Sequence, residues 1–179
     1  MYTNNTQKGF TLVETLVAIL ILTLSISGPL FIAQQSVTSA NVARDQTTAR
    51  FLGQEGLEVI RALRDDNYLS GRSWLSGLAQ CDHSQGGCMV DITEDRDDRV
   101  VGSCGPECDP LRFDERSGIY NHNGVTGDNV ITTFRRRVIV EEITPGNGVP
   151  DAEILVEVTW NDRGTTRNVT TEGYIFDWL

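Results

Sequence analysis

From Phe10 to Ala33 the chain reads FTLVETLVAILILTLSISGPLFIA, an apolar run in which Glu14 is the only charged residue. As a helix rising about 1.5 Å per residue, that run is long enough to cross a bilayer. No charge follows Glu14 until Arg44, so the run leaves through a polar but uncharged stretch, residues 34–43. Gly28-Pro29 lies inside it, and because proline removes a helix hydrogen bond and clashes with the preceding turn, a kink is expected there. From Gln34 to Arg64 the pattern turns amphipathic, with Leu52, Gly56, Val59, Ile60 and Leu63 on one side at helical spacing. Glu58 with Arg61, and Arg61 with Asp65, support the polar side, and the helix is expected to stop at Asp65-Asp66-Asn67. Gly53 and Gly56 each disfavour a helix interior by about 1 kcal/mol relative to alanine, which either a close neighbouring element or local flexibility explains.

Between Tyr68 and Asn129 the chain is rich in Gly, Asp, Ser and Asn, which reads as a long irregular insertion with short strands at most. The last third changes period. Phe134 to Ile143, Ala152 to Trp160 and Thr166 to Phe176 are candidate strands. Ile154, Val156, Val158 and Trp160 share one face that should lie on the helix, while Glu153, Glu157 and Thr159 face outward and Leu155 breaks the outward pattern. Residues 144–151 and 161–164 are turn-rich, so the strands should form an antiparallel meander. A long N-terminal helix packed on a C-terminal antiparallel sheet is an α+β architecture.

Charge narrows the function classes. A formal net charge of -10 and a pI near 4.6 argue against nucleic-acid binding, which needs clustered Lys and Arg; Lys8 is the only lysine. Arg135-Arg136-Arg137 is the one basic cluster. On an extended strand its side chains alternate between faces, so they read as solvated rather than as a phosphate or lipid contact.

Cys81, Cys88, Cys104 and Cys108 form an even set within 28 residues, suited to a disulfide-stapled loop in an oxidising compartment. Local bridges, Cys81 with Cys88 and Cys104 with Cys108, are the expected pairing of the three possible. The spacing departs from the C-x2-C pairs of zinc sites, and His83 nearby is assigned no role. The acidic run Asp91 to Asp98 offers oxygen ligands, yet it lacks the glycine and terminal glutamate of an EF-hand loop and reads as a solvated acidic turn. No metal or cofactor is expected.

Glu14 is the residue that a plain membrane span has no use for. A carboxylate at the centre of an apolar helix is penalised by about 2.5 to 3.5 kcal/mol on insertion scales, less near the end, so it usually has a partner. An ordinary secretory signal, cut near Thr38-Ser39-Ala40, would have a shorter apolar region and no acid at its front. Lys8-Gly9-Phe10-Thr11-Leu12-Val13-Glu14 instead resembles the type IV prepilin cleavage and methylation motif. The run from Gln54 to Asp65 also resembles, more loosely, the corresponding helix of bacterial minor pilin-like proteins.

The resemblance implies cleavage after Gly9 by a prepilin peptidase, N-methylation of the new terminus at Phe10, and a Glu14 carboxylate that pairs with the Phe10 amine in its own chain or a neighbouring subunit during assembly. It also implies a leader over residues 1–9, a membrane or fibre-core helix over 10–33, an amphipathic helix over 34–66 and a globular head over 67–179. The implied partners are the peptidase, other pilin or pseudopilin subunits and the cytoplasmic membrane. Lys8 before the run favours a cytoplasmic N-terminus and an external body. No GxSxG elbow, HExxH helix, Walker loop or GxGxxG fingerprint occurs, and His83 and His122 are the only histidines, so a structural subunit is expected rather than an enzyme. The alternative is a membrane- or fibre-presented adhesive protein whose stapled insertion binds a ligand.

Overall fold

The structure, a computed structural model, describes residues 9, 11–95, 98–123, 129–143 and 151–177. The chain divides into two compact units, Met1–Arg44 and Asp45–Leu179, with one helix, α1 (Leu12–Leu69), contributing to both. In the first unit the helix runs through Gly28-Pro29 without a break, and its apolar side chains from Leu12 to Val37 are exposed. The helix is long and apolar enough to cross a membrane. The hydroxyls along it turn back onto the backbone: Thr15 on the Leu12 carbonyl, Thr23 on Leu20, Ser25 on Ile21, Ser27 on Thr23 and Ser36 on Ile32, at 2.6 to 2.9 Å. Each of these five hydroxyls therefore has an acceptor within its own helix, as a lipid surrounding requires.

In the second unit α1 does not stop at Asp65-Asp66-Asn67. It continues to Leu69 because Asn67, 2% exposed, sends its Nδ2 to the carbonyls of Trp74 at 3.2 Å and Ser76 at 2.7 Å, so this asparagine anchors the next loop. The end is a Schellman turn: the Arg72 N–H donates to the Asn67 carbonyl, the Gly71 N–H to Tyr68, and Gly71 takes φ +69°.

Among the described residues seven antiparallel strands follow: β1 (Cys88–Val90), β2 (Val100–Ser103), β3 (Pro110–Asp114), β4 (Ile119–Asn121), β5 (Asn129–Ile143), β6 (Asp151–Asp162) and β7 (Thr165–Phe176). β5 organises the sheet. Its Arg135–Ile143 stretch pairs with β6 on one edge, while β3 and β1 share the other edge and carry β4 and β2 outward. β6 and β7 form a hairpin closed by Arg163-Gly164, both at positive φ (51° and 85°), a type I′ turn whose twist suits the strands.

The core lies between the sheet and the second half of α1. Ile154, Val156, Val158 and Trp160 are at most 3% exposed and meet Leu52, Val59, Ile60 and Leu63 in one apolar cluster. The two helix glycines mark close approach: a Cβ on Gly56 would stand 3.0 Å from Val156 Cγ1 and 3.1 Å from Arg136 Cδ, and one on Gly53 would stand 2.5 Å from Thr171 Oγ1. Outside, Leu155 faces Ile139 across the β5–β6 ladder. The four cysteines form two bridges, Cys81–Cys88 and Cys104–Cys108.

Candidate processing and assembly site

Thr11 precedes the first helical residue, and its Oγ1 accepts the Glu14 N–H at 3.3 Å. Thr11 is thus the N-cap of α1 and Glu14 its third helical residue, the arrangement of a capping box. Glu14 stands in the first turn, where the unpaired N–H groups at a helix start favour a negative charge. The capping bond is made by the Thr11 hydroxyl. Gly9 is exposed, Phe10 and Lys8 lie outside the described residues, and the Gly9–Phe10 bond falls just before the cap. Sequence reasoning singled out Glu14 but passed over Thr11, although the spacing Thr-x-x-Glu ahead of an apolar run is a signal for a cap.

The basic triplet departs from its solvated reading. The faces do alternate, but that alternation puts Arg136 inside, with no exposed surface, between Phe134 and Val138. Its Nη1 donates to Glu55 Oε1 at 3.0 Å and to the Leu52 carbonyl at 3.2 Å, and its Nη2 donates to the Val90 carbonyl at 2.8 Å. One guanidinium thereby ties α1, β5 and β1 together. On the outer face Arg135 donates to the Cys108 carbonyl and Arg137 to the Pro106 carbonyl at 2.9 Å, so both hold the loop closed by Cys104–Cys108.

Asp91 is also not a solvated acid. It has no exposed surface, and its carboxylate accepts from the Thr93 N–H at 2.8 Å, the Thr93 hydroxyl at 2.6 Å and the His122 N–H at 2.5 Å. These bonds join the loop after β1 to the loop after β4; Arg96 and Asp97 of the acidic run lie outside the described residues. Burial, reinforced by the charge of Arg136 and opposed by Asp91, pushes the His122 imidazole down to about 4, and its Nε2 is buried without a partner among the described residues. Among those residues no three His, Cys, Asp or Glu side chains converge to hold a metal.

Residues 4–28 match the family described as the prokaryotic N-terminal methylation motif. No curated protein and no solved structure matches the chain. With Gly9, Glu14 and the start of α1 inside the matched segment, the finding supports a type IV pilin-like prepilin, processed by prepilin peptidase and anchored in a membrane by its apolar helix.

Proposed function

We propose that this chain is a minor structural subunit of a type IV pilus or a type II secretion pseudopilus. Prepilin peptidase cuts it after Gly9 and methylates Phe10, and residues 10–33 hold it in the cytoplasmic membrane until it joins a fibre. The observation that carries this reading is Glu14, the one charge of the apolar run, seated in the first turn of α1 within the matched motif. Its carboxylate is the counter-ion for the Phe10 amine, because a charge pair in low dielectric attracts far more strongly than in water and an unpaired carboxylate keeps its desolvation cost. Pairing with the amine of a neighbouring subunit would fix the register of assembly. The N-terminus lies in the cytoplasm and the sheet-bearing unit outside, where two disulfides persist.

Two strains that differ only in the prepilin peptidase gene test this. Peptidase-dependent appearance of the chain in a sheared or purified fibre fraction supports the reading, and retention in the membrane of both strains contradicts it.

A further inference from the structure

Among the described residues the sheet has three strands at its margins. β2 is four residues long and meets β1 across a register irregularity, and β4 is three residues long. β7 is different: twelve residues pair with β6 in continuous register, and among the described residues no strand pairs with its other edge. Natural sheets guard such an edge with lysine, proline, a bulge or a covering element. Thr165–Phe176 contains neither lysine nor proline and its ladder has no bulge; its two charges are Arg167, held by Asp162 at 3.0 Å, and Glu172. Because the hairpin is a two-residue type I′ turn closing on Asp162 and Thr165, the odd-numbered residues of β7 bond to β6. The N–H and C=O groups of Thr166, Asn168, Thr170, Glu172 and Tyr174 therefore point along the open edge.

At the end of this strand is a cleft of about 420 Å³, lined by Tyr68, Leu69, Trp74 and Phe176 together with Arg64, Asp65 and Asp177. Its surroundings are acidic. Asp65 and Asp177 in the cleft, Glu172 on the strand, and Asp151 and Glu153 paired with the strand's end make five carboxylates. One arginine of the cleft, Arg64, stands against them, and Asp65 holds its Nε at 2.7 Å. A second copy of this chain would bring the same carboxylates to the same place, which disfavours self-pairing.

We propose that the open edge of β7 is a docking site for an extended basic segment of another protein. That segment adds an eighth strand through its backbone, meets the carboxylates with Lys or Arg, and seats an apolar side chain in the cleft between Tyr68 and Phe176. The inference concerns the sheet-bearing unit and stands apart from the processing of the N-terminus.

The test uses the full chain in detergent micelles and three capped peptides, KVTVKL, EVTVEL and KVPVKL, with amide hydrogen exchange as the readout. KVTVKL should slow exchange at Thr166, Asn168, Thr170, Glu172 and Tyr174 saturably and by roughly tenfold or more. EVTVEL lacks the charge and KVPVKL lacks a backbone donor, so both should protect weakly. The exposed substitution Glu172→Lys should weaken KVTVKL and strengthen EVTVEL, while unchanged β6 protection reports an intact fold. Equal protection by all three peptides, or none by KVTVKL, overturns the proposal. Edge protection that rises with protein concentration alone assigns the edge to a second copy. Binding only after truncation at Asp177 assigns the cleft to residues 178–179. Either of these last results also overturns it.

Discussion

Arg136, which has no exposed surface, donates from Nη1 to Glu55 Oε1 at 3.0 Å across 81 residues of sequence. The pair joins the helix to the central strand inside an apolar cluster. Removing one partner of a buried ion pair costs about 3–5 kcal/mol, because the other is left uncompensated. Arg136→Ala should approach that range, since Glu55 and the Val90 carbonyl lose the guanidinium and the Leu52 carbonyl is left with its helix bond alone. Glu55→Ala should cost less, roughly 1–3 kcal/mol, as Arg136 keeps both carbonyls and Glu55 is 25% exposed. Urea unfolding of the full chain in micelles measures both, and equal stability of wild type and Arg136→Ala would remove this staple from the account.

Gly56 offers a test by sign. In an exposed helix, glycine to alanine gains about 1 kcal/mol. Here the added methyl meets Val156, Arg136 Cδ and Val138 within 3.0 to 3.6 Å, and overpacking of a filled core costs about 1–3 kcal/mol. Gly56→Ala should therefore destabilise the sheet-bearing unit. A rise in its unfolding midpoint would show that the helix can move away from the sheet.

His122 gives the fold a pH dependence of known direction. Held near 4 in the fold against 6.5 when free, it binds fewer protons folded than unfolded over that interval. Its contribution is complete above about 6.5 and is lost progressively as pH falls toward about 4. Asp82, drawn down by Ser84, and Asp114, drawn down by Ser117, titrate below 3.8 and leave the upper part of this window clear. Thermal unfolding between pH 6.5 and 5 should show a falling Tm for the wild type and a flatter profile for His122→Gln.

At the other end of the chain, Glu14→Ala should leave cleavage intact and reduce incorporation into a fibre. Thr11→Val should loosen the first turn of α1 by about 1 kcal/mol through loss of the cap, visible as faster amide exchange at Glu14. A Glu14→Ala chain that enters fibres as well as wild type would show that the carboxylate is not the assembly contact.

Much of this fold is legible in the sequence wherever one face of an element meets one environment. The alternation of Ile154, Val156, Val158 and Trp160 reports a half-buried strand, and the spacing of Leu52, Gly56, Val59 and Ile60 reports the helix that covers it. What the sequence hides depends on partners far away along the chain. β5 begins at Asn129, five residues before the expected start at Phe134, because its early part is held by β3 within the irregular insertion. Arg136 reads as one of three solvated arginines until its parity with Phe134 and Val138 is taken seriously, and Asp91 until the loop after β4 is brought beside it. The processing motif is local and readable on its own, whereas Thr11 needed the exact start of the helix to be recognised as its cap.

Whether the chain is processed as a prepilin is decided at the bond between Gly9 and Phe10. Co-expression with a prepilin peptidase, followed by mass spectrometry of the mature N-terminus, tests it directly. A processed prepilin should begin at Phe10 and carry one added methyl on its amine. An uncut chain, or one that begins near Asn41, would contradict that processing and make the apolar run a plain anchor or a conventional secretion signal.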